Sequence, residues 1–268
     1  MSVSASAAHG RFLWYELMTS DVAGARAFYG AVIGWGQSSM PSAAMAGGQY
    51  DMFTNAAGMV AGVVNAAEFS GGDTPPYWLA YFGTADTDAT VARAVDLGGA
   101  VIAPPMDIPG IGRFAILADP LGAVFALLTP SGDEMPPVDT HAPGAFSWHE
   151  VYTTDLERAW AFYTDLFGWV KTGSMDMGPM GEYRMYGLTA DKSMGGFSHT
   201  PPGDPSPPHW VYYVTVSDIA ASLEQVKAGG GRVLMGPMEV PGNDTIAICM
   251  DPQGAVFAVY QSGAARSS

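Results

Sequence analysis

Cysteine is nearly missing from this 268-residue chain: Cys249 stands alone, so no internal disulfide can form. That agrees with a reducing compartment, and a cytoplasmic location is the expectation. Basic residues are scarce as well, 11 Lys and Arg against 26 Asp and Glu, for a net charge of −15. Nucleic acids and anionic membrane surfaces both demand clustered Lys and Arg, so neither is an expected partner. No run of about 18 apolar residues is present, which argues against a membrane-spanning helix. The first ten residues are small and polar and lack the charged start and apolar run of a signal peptide. What the chain does have is apolar content, 48%, with 34 Gly and 20 Pro spread among turns. That composition suits about two domains of many short strands, each with its own core.

The strongest signal is an internal repeat. Phe12-Leu-Trp14-Tyr-Glu16 recurs as Phe146-Ser-Trp148-His-Glu150, and Thr19-Ser-Asp21 as Thr153-Thr-Asp155. Phe28-Tyr29 and Gly34-Trp35 recur as Phe162-Tyr163 and Gly168-Trp169. Trp78 recurs as Trp210, and Asp119-Pro-x-Gly-Ala-Val-Phe-Ala126 as Asp251-Pro-x-Gly-Ala-Val-Phe-Ala258. The division expected is a tail over 1–10, a first domain over 11–130, a Pro/Gly/Asp-rich linker over 131–144, a second domain over 145–262 and a tail over 263–268. Within the first copy, Leu13–Met18 reads as a strand. Asp21 reads as the N-cap of a helix through Tyr29 that stops at Gly34-Trp35. Strands follow near 50–53 and 59–64. A strand from Trp78, a helix capped by Asp86 or Asp88, and strands near Val101, at 113–117 and up to Leu128 complete the copy. The fold class is α+β, with βαβββ twice per copy.

The strand–Asp–helix–Phe-Tyr–Gly-Trp opening and the Asp-Pro-x-Gly close, each present twice, resemble the vicinal oxygen chelate superfamily, the glyoxalase/bleomycin-resistance/extradiol-dioxygenase fold. That resemblance implies paired βαβββ modules whose eight-stranded mixed sheet curls around a cleft. It also implies three metal positions, which fall here on Trp14 and Trp148, Leu79 and Val211, and Ala126 and Ala258. None of these side chains ligates a metal. No cofactor is therefore expected, and a divalent ion enters only if the register is misread by one residue. With two copies in one chain, a monomer standing in for a dimer is expected.

Strand alternation places Glu16 beside Trp14 and Glu150 beside Trp148 on one sheet face. Trp14 and Trp148, with Tyr77 and Tyr81, Tyr152, His209 and Tyr213, and Tyr260, are expected to line these clefts and contact a ligand. Glu16 and Glu150 are the catalytic candidates, because burial raises a carboxylate's pKa and makes it a better base. A purely structural role, with the carboxylate fixing its strand through hydrogen bonds, stays open. His149 should point away from the cleft into the core. His199, His9 and His141 fall at a strand end, in the tail and in the linker. Trp35 and Trp169 should pack a helix on the sheet. Three functions remain: a pocket that sequesters a small hydrophobic or cationic compound, a lyase or isomerase with a glutamate base, and, if the metal positions are misplaced, a metal-dependent dioxygenase or glyoxalase of the kind the resemblance implies.

Overall fold

The computed structural model describes residues 8–42, 45, 48–70, 74–132 and 139–263. Parts of the expected tails and of the expected linker lie outside these residues. The first copy runs β1 (Phe12–Thr19), α1 (Val22–Ile33), β2 (Gly36–Pro41), β3 (Gln49–Asn55), β4 (Gly58–Asn65), a short α2 (Ala67–Ser70), β5 (Tyr77–Gly83), α3 (Thr87–Asp96), β6 (Ala100–Ile108), β7 (Gly112–Ala118) and β8 (Val124–Pro130). The second repeats it: β9 (Phe146–Thr153), α4 (Leu156–Phe167), β10 (Val170–Asp176), β11 (Glu182–Gly187), β12 (Gly195–His199), β13 (His209–Thr215), α5 (Ile219–Ala228), β14 (Arg232–Val240), β15 (Asp244–Met250) and β16 (Val256–Gln261). Each copy forms an eight-stranded mixed sheet, in the order β2-β3-β4-β1-β5-β8-β7-β6 and its counterpart β10-β11-β12-β9-β13-β16-β15-β14. Strand β1 runs parallel to β4, and β5 parallel to β8, as the βαβββ pattern requires.

Local chemistry explains the helix boundaries. Asp21, Asp86, Asp155 and Asp218 all sit in extended backbone and accept the amide hydrogen three residues on, satisfying a donor the helix cannot pair itself. Asp86, not Asp88, is thus the cap of α3. Helix α1 continues one turn past Tyr29 and ends at Gly34, whose φ of 85° is the left-handed cap glycine allows. Strand β2 had no clear sequence signal, because its exposed, polar residues lack apolar alternation. Among the described residues, no helix is long and apolar enough to cross a membrane.

By contact density the chain divides into two compact units, and each takes one module from each copy. One unit comprises Met1–Leu13, Leu79–Pro137 and Trp148–Trp210; the other comprises Trp14–Trp78, Val138–Ser147 and Val211–Ser268. In the second of these, α1 lies against α5, and the Ser222 hydroxyl donates to the Val32 carbonyl at 2.8 Å. Its core holds a buried chain of polar groups. The Trp78 indole N–H donates to the Tyr29 hydroxyl at 2.9 Å, and that hydroxyl donates to Asp251 Oδ2 at 3.1 Å. Asp251 Oδ1 meanwhile accepts the amides of Gln253, Gly254 and Ala255, which forms the Asp-Pro turn. The other unit repeats the device: Trp210 donates to Tyr163 at 3.0 Å, Tyr163 donates to Asp119 Oδ2 at 3.1 Å, and Asp119 Oδ1 gathers the amides of Leu121, Gly122 and Ala123. Burial pushes both aspartates' pKa up while the surrounding donors pull it down. Trp35 and Trp169 are buried as expected, and each also donates its indole N–H to a carbonyl just ahead of a copy's first strand, Gly144 and Gly10 respectively.

Replacing Tyr29 or Tyr163 by Phe keeps the ring but removes the partner of a buried indole N–H and of the Oδ2 oxygen of a buried carboxylate. Urea unfolding should show each variant about 1–3 kcal/mol less stable than the parent. A change within error would mean that neither chain of polar groups holds its unit together.

Candidate functional site

In the first copy, Trp14, Glu16 and Tyr77 come together, joined by a residue that sequence reasoning did not select. The half-buried Trp14 donates its indole N–H to the Tyr50 hydroxyl at 2.9 Å, and Tyr50 donates to Glu16 Oε1 at 2.9 Å. Glu16 is 8% exposed, so its charge sits largely out of water and depends on such donors. Burial first, and the Glu16 charge second, hold the hydroxyls of Tyr50 and Tyr77 above the ordinary tyrosine pKa; both phenols therefore stay protonated donors beside the carboxylate. Two features let Tyr50 reach across the sheet. Gly62 pairs with Glu16 across β4 and β1, and a Cβ there would collide with the Tyr50 hydroxyl and crowd Glu16 Oε1. Asp51, next in β3, is ion-paired with Arg26 of α1, which fastens the strand to the helix.

The second copy repeats the arrangement. Trp148 donates to the Tyr183 hydroxyl at 2.7 Å. Glu150 is buried, and after burial itself its charge is the largest influence raising the Tyr183 pKa. Gly196 pairs with Glu150 across β12 and β9, and a Cβ on it would strike the Tyr183 ring. The next residue, Arg184, bonds Glu157 of α4 and Glu182 and lies 5.1 Å over the Trp160 ring. Tyr152 and His209 stand here where Met18 and Tyr77 stand in the first copy. Their rings stack at 5.4 Å and 16°, and His209 Nδ1 lies 2.8 Å from the Pro207 carbonyl.

Three candidates have other recorded surroundings. Tyr81 is buried beside Phe114, Tyr213 is buried in β13, and the Tyr260 hydroxyl donates to Asp244 Oδ2 at 2.9 Å. Tyr50 and Tyr183 were recoverable from the sequence: they are equivalent by the repeat, and both precede a charged residue on a short strand. His149 turns into the core, where it stacks on Phe12 at 3.6 Å and its Nδ1 lies 2.8 Å from the Met194 carbonyl. Burial drives its pKa down to about 4. Tyr15, its counterpart, stacks on Phe146 at 3.7 Å.

The residues at the metal positions that the superfamily resemblance implies supply no metal ligand. Leu79, Val211, Ala126 and Ala258 are fully buried and offer no ligand atom, and the indole N–H of Trp14 and Trp148 has no lone pair to give and donates to a tyrosine instead. Among the described residues no three His, Cys, Asp or Glu side chains group closely enough to hold an ion. A shallow depression of about 250 Å³ lies apart from both glutamates, lined by Thr154, Asp155, Leu156, Glu157, Glu182 and His199.

Comparison with known proteins agrees with this architecture. The family model described as "Glyoxalase/Bleomycin resistance protein/Dioxygenase superfamily" matches twice, over residues 11–127 and 145–259. "Putative glyoxylase CFP32" of Mycobacterium bovis is 32% identical over 249 residues, covering 92% of this chain and 93% of the relative. "Anthracycline biosynthesis protein DauV" of Streptomyces sp. is also 32% identical, covering 95% of this chain and 94% of the relative. Among solved structures, homoprotocatechuate 2,3-dioxygenase from Arthrobacter globiformis superposes with a TM-score of 0.66 at 16% identity, over 95% of this chain and 80% of that one. The Mn(II)-bound glyoxalase from Novosphingobium aromaticivorans gives 0.63 at 16% identity, over 94% and 82%. At such identities the structural likeness speaks for the fold alone.

Two outcomes test this geometry. Gly62→Ala and Gly196→Ala should displace the tyrosine, costing roughly 1–3 kcal/mol and altering the near-ultraviolet circular dichroism of the Trp–Tyr pair; an unchanged spectrum would refute the close approach. His149 gives a pH signature. The folded protein holds it neutral down to about 4, whereas the unfolded chain takes up a proton below the ordinary 6.5. Stability should therefore fall as pH drops from about 6.5 to 4, by up to about 3 kcal/mol from this group. Denaturation at pH 7 and pH 4.5 should show that component reduced in His149→Phe.

Proposed function

Because the chain belongs to the glyoxalase/bleomycin resistance protein/dioxygenase superfamily, we propose that it is a small-molecule-binding member of that superfamily. It takes a planar, hydrophobic compound, with a cationic or hydrogen-bond-donating group, at the Trp–Tyr–Glu sites. One observation carries this reading: a buried carboxylate set among indole and phenol rings occurs in both copies, with a glycine opposite it that makes room for the tyrosine. Aromatic walls supply area and cation–π attraction, and the carboxylate supplies a directional acceptor. A net charge of −15 favours cationic ligands further. The name of the Streptomyces relative, an anthracycline biosynthesis protein, points to compounds of the same polycyclic aromatic kind.

A second reading, a lyase or isomerase, draws on the Tyr50–Glu16 hydrogen bond. A carboxylate accepting from a phenol can take a substrate proton while the phenol steadies the developing charge. Glu16 and Glu150 are the bases in that reading, and the likeness to a protein named as a glyoxylase supports it.

Proflavine, a planar aromatic cation, is a direct probe. Calorimetric titration should show saturable binding, weakened roughly 10- to 100-fold in the Glu16→Gln/Glu150→Gln double variant, since hydrogen bonds to a charged group contribute about 1.5–3 kcal/mol. The variant should stay folded, because the amide keeps the carboxylate's shape. Undetectable binding by the parent, or equal binding by parent and variant, would refute the proposal.

A further inference from the structure

The two sites are not equal, and the difference is concentrated in two substitutions. Glu16 of the first copy is faced by phenols, Tyr50 through a hydrogen bond and Tyr77 through its electrostatic influence. Met18, two residues along β1, belongs to a buried apolar cluster with Val64 and Ala66 against which Tyr50 and Tyr77 pack. In the second copy the repeat puts Tyr152 at the Met18 position and His209 at the Tyr77 position. A thioether and a phenol thus give way to a phenol and an imidazole.

The imidazole is held in a defined state. A carbonyl oxygen can only accept, so the 2.8 Å contact of His209 Nδ1 with Pro207 requires the proton on Nδ1. In the neutral ring Nε2 then carries the lone pair. Stacking on Tyr152 fixes the ring plane, and the residue is half-buried rather than enclosed. The first copy has a phenol, Tyr77, at this position, whose oxygen is a far weaker base than an imidazole nitrogen lone pair.

We infer that His209 is a specificity-determining residue that gives the second copy's site a preference for hydroxylated aromatic ligands, whose acidic hydroxyl donates to Nε2. This rests on the reading that both sites bind aromatic compounds, and it assigns them different members of that class. A phenol or enol on a ring system meets the Nε2 lone pair at His209, a stronger acceptor than the phenol oxygen at the same place in the first site.

The test compares 2-naphthol with 2-methoxynaphthalene, equally flat molecules of which only the first can donate. At pH 8, where an ordinary imidazole is neutral, both are titrated into the intact parent and into His209→Phe, which keeps a stackable ring. The phenylalanine variant should bind 2-naphthol roughly 3- to 10-fold more weakly, the worth of one neutral hydrogen bond, and 2-methoxynaphthalene unchanged. In the parent, the imidazole proton signal that His209→Phe abolishes should shift on adding 2-naphthol and not on adding its methyl ether. An equal loss for both probes would reduce His209 to an apolar wall, and no loss for either would remove it from the site; each overturns the inference and leaves the binding reading standing. If the parent binds neither probe the inference is overturned, and the proflavine titration decides whether the binding reading falls with it.

Discussion

A carboxylate removed from water must be met by donors, and the four buried acids among the described residues impose that requirement on everything around them. Asp119 and Asp251 meet it with three backbone amides and a tyrosine hydroxyl apiece. Glu16 meets it with Tyr50, and Glu150 lies against Tyr183. In every case a tryptophan indole donates to the same tyrosine oxygen. One tyrosine hydroxyl, accepting from Trp and facing a carboxylate, is therefore the unit from which both the cores and the candidate sites are made.

The two uses differ in how the acid is held. The aspartates sit at tight turns whose amides converge on one oxygen, leaving the other for tyrosine, and that saturation suits a structural anchor. The glutamates project from the face of a regular strand, whose backbone amides are engaged in the ladder, and the donor to Glu16 is a side chain, the Tyr50 hydroxyl. A side-chain partner can move or be exchanged for a ligand at less cost than a set of converging amides. That difference, more than burial itself, separates a carboxylate suited to binding or proton transfer from one suited to support.

Duplication preserved this machinery and relaxed its edges. Trp14, Glu16, Tyr50 and Gly62 all persist as Trp148, Glu150, Tyr183 and Gly196. The strand next to each site is fastened to the first helix of its module by different means, an Arg26–Asp51 pair in one copy and Arg184 with Glu157 and Trp160 in the other. An ion pair can change its members as long as strand and helix stay joined. The residues at the site's margin, Met18 and Tyr77 against Tyr152 and His209, carry no such constraint and diverged in chemistry.

The sequence by itself determined the repeat, the βαβββ order, the aspartate caps and the pairing of Trp14 with Glu16 on one sheet face. Each of these is a local rule, set by a period of two or three and a half residues or by a side chain bonding its own backbone. It also put the ligand-poor residues Leu79, Val211, Ala126 and Ala258 at the superfamily's metal positions. Only the tertiary structure decided that Tyr50 and Tyr183 bridge Trp to Glu, that Gly62 and Gly196 make room for them, and that each compact unit draws one module from each copy. Those facts depend on which strands lie side by side and how far a ring reaches across a twisted sheet, and residues more than thirty positions apart carry no local mark of that proximity.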